Sequence, residues 1–237
     1  MTVTTIDAVV ERLEAIQAEL GPHDGIGQFN RVYLRTTEAV RDHLRAGFFD
    51  DPAFVERLDV VFAALYFAAV EADQDAAPVD PAWRPLFDAR SDARLRPIQF
   101  AVAGMNTHIN HDLAVAVVET CGELGTYPGA GQTLADYLRV NAVIEQVEAD
   151  IRRSLLSELE RELDAPIEPL IHLIGTWSIT EARDAAWVKA RVLWSLQDSP
   201  RLLGLVIGAS SRTVGMTSRH LLTPLLPASP PPRECSL

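Results

Sequence analysis

The sequence predicts an all-α protein, a single compact bundle of about seven helices around a buried central helix. Apolar residues recur at helical spacing through most of the chain. No segment alternates apolar and polar residues at period two, as a half-buried strand would. Capping residues, prolines and glycines fall between the periodic segments. One helical domain over 1–223 and a Pro-rich tail over 224–237, disordered or extended, is the expected organisation.

The first helix, over 5–20, repeats Ile6, Val9, Val10, Leu13, Ile16 and Leu20 on one face. Thr4 with Asp7 resembles a capping box, and Gly21-Pro22 stops the helix. Its clear polar side places it at the surface. A second helix, over 26–46, turns Phe29, Val32, Tyr33, Thr36 and Val40 inward and ends at Gly47. The third begins with Asp51 as N-cap and Pro52 at the first helical position. It is apolar around most of its circumference through Ala69, hence internal. Pro78, Pro81, Pro85 and Pro97 break the next stretch into a connector anchored by Trp83, Leu86 and Phe87. The central helix covers 98–121, and 122–131 is a loop. Thr133 and Asp136 open a long helix that reaches about Leu163 and ends at Pro166. Ser178 and Glu181 cap a helix carrying Trp187 and Trp194, and Ser199-Pro200 begins the last.

Net charge is −12. An acidic chain lacks the basic footprint that phosphate backbones require, and it is repelled by anionic membrane surfaces. The N-terminus has no basic stretch followed by an apolar core. The longest apolar run, near 98–118, contains His108, His111, Asn106, Asn110 and Asp112, which makes it a poor membrane span. Of the two cysteines, Cys121 lies in a helix and Cys235 in the tail, so neither a disulfide framework nor a Cys-X-X-C site is expected. The reading is a cytoplasmic protein. Its expected partner is a small-molecule substrate, not nucleic acid or membrane, and a homodimer stays open. The sequence has no Gly-X-Ser-X-Gly nucleophile elbow and no phosphate-binding glycine loop, so no organic cofactor is expected.

The chemistry is concentrated in the central helix. His108 and Asp112, four residues apart, share a face, with Gly104 one turn before them. Gly104 leaves room for a ligand or a neighbouring helix. Asn106 and Asn110 form a second such pair, and His111 can join the network. A buried carboxylate needs a donor, which His108, Arg31, Arg35 or Arg94 could supply to Asp112. A carboxylate-held histidine has a fixed tautomer and raised basicity, which suits acid–base catalysis or a metal's outer shell.

Three readings stay open: a polar network that fixes helix register, an acid–base site for a small organic molecule, and a metal-dependent hydrolase built on His108 and Asp112. No second His-X-X-X-Asp/Glu pair supports the metal reading. In the acid–base reading His108 is the acid or base and Asp112 orients it. Tyr33 and Arg35 stabilise developing negative charge. Asn106, Asn110, His111, Arg31, Asp59, Trp83 and Trp187 then surround the substrate. Arg35 with Glu38 equally fits a surface pair, and Asp59 fits either a wet helix edge or an internal pairing. His172 reads as a core histidine, Trp177 and Trp194 as core anchors, and Cys121 as an inert thiol.

Four segments carry a family resemblance: Gly27-Gln28-Phe29-Asn30-Arg31-Val32-Tyr33-Leu34-Arg35-Thr36-Thr37-Glu38; Phe49-Asp50-Asp51-Pro52 with Arg57 to Phe62; Gly104-Met105-Asn106-Thr107-His108-Ile109-Asn110-His111-Asp112-Leu113; and Ala186-Trp187. Together they resemble the helical actinobacterial and fungal family known as domain of unknown function 5995. The resemblance implies an all-helical fold and one shared site formed by residues 108–112, Arg31, Tyr33, Arg35 and Asp59. It brings no assigned chemistry. Families of this type include members of secondary-metabolite pathways, where a helical cavity hosts cofactor-free cyclisation, elimination or rearrangement.

Overall fold

Local capping sets the first elements. Helix α1 (Ile6–Glu19) is opened by Thr5, whose hydroxyl accepts from the Ala8 amide at 3.2 Å. The cap is therefore one residue later than the Thr4 pattern implies. Asp24 caps α2 (Gly25–Arg45) by accepting from Ile26, and Asp51 caps α3 (Pro52–Gln74) by accepting from Phe54. The start of α3 is tied down a second time. Asp136, fully buried, accepts from the Asp50 and Asp51 amides, so it serves this helix start rather than opening its own helix.

The computed structural model describes residues 3–162 and 178–224. After α3 the proline-rich connector holds a short helix, α4 (Arg84–Ala89), with Trp83, Leu86 and Phe87 buried as anchors. Then comes one continuous helical rod: α5 (Pro97–Thr107), a π-helical turn (His108–Asp112) and α6 (Leu113–Glu123). Every residue from Ile98 to Thr107 is buried. The long helix α7 (Gly131–Glu162) starts earlier than Thr133. Ser178 caps α8 (Ile179–Ser195) by accepting from Glu181, and Pro200 opens α9 (Pro200–Leu221). The expectations for Pro166, His172, Trp177, Cys235 and the tail from 225 lie outside the described residues.

The two halves of the rod pack differently. Its first half, α5, lies against α2 and α9; its second half, α6, lies against α3 and α8. Helices α2 and α5 approach closely through two reciprocal pairs. A Cβ on Gly25 would sit 2.3 Å from the Phe100 ring, and one on Gly104 would sit 2.4 Å from the Phe29 ring. The space at Gly104 thus belongs to a neighbouring helix, not to a ligand. Among the described residues the protein is all helix and turn, and none of these helices is long and apolar enough to cross a membrane.

Candidate functional site

The π turn places the central histidine. Its backbone is closed by the Leu113 amide donating to the His108 carbonyl, one residue wider than an α turn. A widened turn takes carbonyls out of the regular ladder, and Lys189 of α8 donates to that of Asn110 at 2.7 Å. Lys189 also donates to the Ser210 hydroxyl. Burial lowers the Lys189 ammonium pKa, and the nearby Asp112 charge opposes that shift.

His108 and Asp112 meet across the turn. Asp112 Oδ2 accepts from His108 Nδ1 at 2.9 Å and from Trp83 Nε1 at 2.9 Å. Trp83, not an arginine, is therefore the second donor; Arg94 instead pairs with Asp92. Burial lifts the Asp112 carboxyl to about 7, against the pull of His111 and Trp83. Burial also pulls His108 well below its ordinary value, so the ring is neutral. With Nδ1–H given to the carboxylate, Nε2 carries the lone pair, and this buried atom has no hydrogen-bond partner.

Aromatic rings box the imidazole. Phe62 stacks on it at 3.5 Å between centroids and 8° between planes, and Tyr33 meets it edge-on at 4.5 Å. Phe29, Trp83 and Tyr66 complete the surround. Such a box fixes the ring and excludes water from its faces.

His108 lines one of two adjoining cavities, of about 60 and 50 Å³. They share Tyr33, Thr36, Phe62, Ile144 and Arg183 as common wall. The first lobe has His108 on its wall, and the second has Asp59 and Thr37. Among the described residues six buried side-chain atoms have no hydrogen-bond partner, and four of them belong to residues that line these walls: His108 Nε2, Tyr33 Oη, Thr37 Oγ1 and Asp59 Oδ2. Native interiors satisfy most such atoms, so their gathering in residues around the two lobes sets this region apart. Burial, with Glu56 adding repulsion, lifts the Asp59 carboxyl to about 7. Burial and then the Asp59 charge raise the Tyr33 phenol well above its ordinary value.

The model of a family of unknown function, DUF5995, matches residues 6–224. The chain belongs to the DUF5995 family. No curated protein and no solved structure matches it. The DUF5995 match spans the whole site, from Tyr33 on α2 to Arg183 on α8, and supplies no activity for it.

Within this DUF5995 chain the residues singled out in the sequence fall into three groups. His108, Tyr33 and Asp59 meet at the cavities, and Asp112 and Trp83 hold His108 from behind. Asn106, Asn110 and His111 point elsewhere. Asn106 Nδ2 donates to Ser218 Oγ at 3.0 Å, Asn110 donates to Asn106 at 3.0 Å, and His111 Nε2 lies 3.7 Å from Asp80. None of the three lines either cavity. Asn106 is taken up by α9 and Asn110 by Asn106, while His111 lies near Asp80 of the connector and its buried Nδ1 has no partner. Arg35 is exposed, Arg31 is half-buried, and neither reaches the cavity walls. Trp187 packs on Tyr137 at 4.5 Å as a core anchor.

One wall residue was not visible in the sequence. Arg183 is 5% exposed and lines both lobes. Its segment, Glu181-Ala182-Arg183-Asp184, reads as a solvated helix start, and only the packing of α8 on α7 turns Arg183 inward. For a metal, the donor set is thin. His108 Nδ1 and Asp112 Oδ2 are bonded to each other, and among the described residues no group of three or more His, Cys, Asp or Glu could hold a metal ion.

Proposed function

We propose that the chain is a cofactor-independent enzyme of the lyase, cyclase or isomerase type, moving a proton on a small, mostly apolar organic molecule. The observation that carries this reading is the state of His108. Its Nδ1 is held by Asp112, its Nε2 is buried and unpartnered, and the residue stands on a cavity wall. Tautomer and ring are fixed and the lone pair is free, as a general base requires, although burial lowers the basicity of the ring instead of raising it as the His108–Asp112 spacing implied. A substrate C–H bond breaks, its electron pair stays on the substrate, and the proton goes to Nε2. The imidazolium so formed is balanced by the Asp112 carboxylate, which Trp83 keeps in place. The Tyr33 hydroxyl, unpartnered on the same wall, donates to the charge that develops on the substrate. Enolate cyclisation, elimination of a β-leaving group and double-bond isomerisation each begin with such a step.

A non-catalytic network is the second reading, and cavity size favours it. The two lobes are small beside the several hundred Å³ usual for ligand sites. Proton exchange separates the two. Small ketones, carboxylic acids and thioesters are incubated with the protein in D2O, and deuterium uptake is read by mass spectrometry. The expected result is uptake into at least one of them, lost in His108→Gln while helical circular dichroism is kept. No uptake across the panel, or uptake that survives the substitution, overturns the catalytic reading.

A further inference from the structure

The cavity contains a charge that the proton-transfer reading leaves unused. Arg183 is buried, and its polar contacts are neutral: Nε donates to Asn141 Oδ1 at 2.6 Å, Nη2 donates to the Tyr137 carbonyl at 3.1 Å, and the guanidinium lies over the Tyr137 ring at 4.4 Å. Among the described residues no carboxylate pairs with it. Asp184, its neighbour in sequence, is exposed, and Asp59 on the wall of the second lobe makes no ion pair with it. Removing a cation from water is costly unless an anion meets it. Here the cation is held by neutral groups at the common wall of both lobes, which leaves the role of counter-ion to a ligand.

We infer that the cavity binds a small monocarboxylate, its charge held by Arg183. Asn141 and Tyr137 take the Nε–Nη2 edge, and the remaining Nη1–Nη2 edge is the fork that matches a carboxylate in shape and charge. The void sets the size: each lobe has room for about four water-sized particles, so the ligand has on the order of ten heavy atoms or fewer. A doubly charged phosphate fits less well, because one guanidinium would leave a negative charge beside the Asp59 carboxyl. The walls supply the rest. Phe62 and Ile144 cover a short apolar body, while the Tyr33 and Thr37 hydroxyls, which lie close enough to act on each other, can turn to donate to oxygen. This rests on the reading of the cavity as a ligand site and names the class of ligand it takes.

The test compares butyrate and benzoate with butyramide and benzamide, which have the same shape without the charge, by calorimetric titration of the full chain. Tighter binding of the acids by tenfold or more is expected. In Arg183→Lys, which keeps the charge and loses the fork, the acids should lose most of that advantage. Because a variant at this buried position can fail to fold, the acid-to-amide ratio of the unaltered protein is the primary measurement. Acids bound no better than amides overturn the inference, and so does a folded Arg183→Lys with the full ratio. Acid binding without deuterium exchange would sink the catalytic reading alone, and exchange confined to uncharged carbon acids would sink this one alone.

Discussion

The two sides of the central rod carry similar side chains in opposite conditions. On the α9 side Asn106, Thr107 and Asn110 are all engaged. Asn106 donates to Ser218, the Thr107 hydroxyl donates to the Ala82 carbonyl at 3.0 Å and meets Ser218 at 2.8 Å, and Asn110 closes onto Asn106. On the cavity side His108, Tyr33, Thr37 and Asp59 each keep an unpaired atom. The first arrangement is what a register-fixing network needs, because every donor finds an acceptor within the chain. The second costs free energy for as long as those atoms lack partners. Among the described residues four of the six unpartnered buried atoms belong to residues of the cavity walls, and His111 Nδ1 and Thr120 Oγ1 are the other two.

The largest break in this contrast comes from Asp112, which holds groups on the cavity side. Asp112→Ala strands two buried donors, Trp83 Nε1 and His108 Nδ1. It should cost about 3 to 5 kcal/mol in urea unfolding, and a loss within experimental error would mean that the dyad carries little. Next comes the satisfied side. Ser218→Ala leaves Asn106 Nδ2 without its acceptor and should destabilise by about 2 kcal/mol, with deuterium exchange unchanged. Lost exchange in a stable Ser218→Ala protein would erase the division between the two sides.

Titration sharpens the same contrast. The Asp59 carboxyl is raised to about 7 in the folded chain and is near 4 when unfolded. The folded state therefore holds the proton longer. Its stability contribution is complete below about 4 and is lost as the pH rises through about 7. Relative to the unaltered protein, Asp59→Asn should gain stability between pH 4 and 7, and parallel urea midpoints over that range would contradict the assignment. The smallest effect has the opposite sign from ordinary core damage. Thr37→Val removes an unpartnered hydroxyl at nearly constant shape, so it should leave stability unchanged or raise it by up to about 1 kcal/mol. A clear loss would show that this hydroxyl is satisfied after all.

These positions also show what could be seen in the sequence. Asp51-Pro52 and Ser178 to Glu181 announced their helices because capping is decided within four residues. The polar run at 108–112 was visible because it interrupts an apolar helix, and the His108–Asp112 contact followed from spacing alone. Which polar residues face a void was not visible. The rod is buried all round from Ile98 to Ile109, so its pattern there has no wet side to orient Asn106 against His108. Arg183 was hidden for the converse reason, since charged neighbours made its segment look solvated. The π turn had no local signal, because it is a choice between two hydrogen-bond ladders open to the same residues.

That turn has a further consequence. Each residue of an α-helix advances the azimuth by roughly 100°, so one extra residue in a turn shifts the phase of everything after it. The rod changes partners at that point, from α2 and α9 to α3 and α8. Deleting a single residue between His108 and Asp112 would bring both halves back into phase and rotate α6 by roughly 100° against its neighbours. The five residues from His108 to Asp112 therefore index one half of the molecule to the other, and the candidate base sits at the point where that index is set.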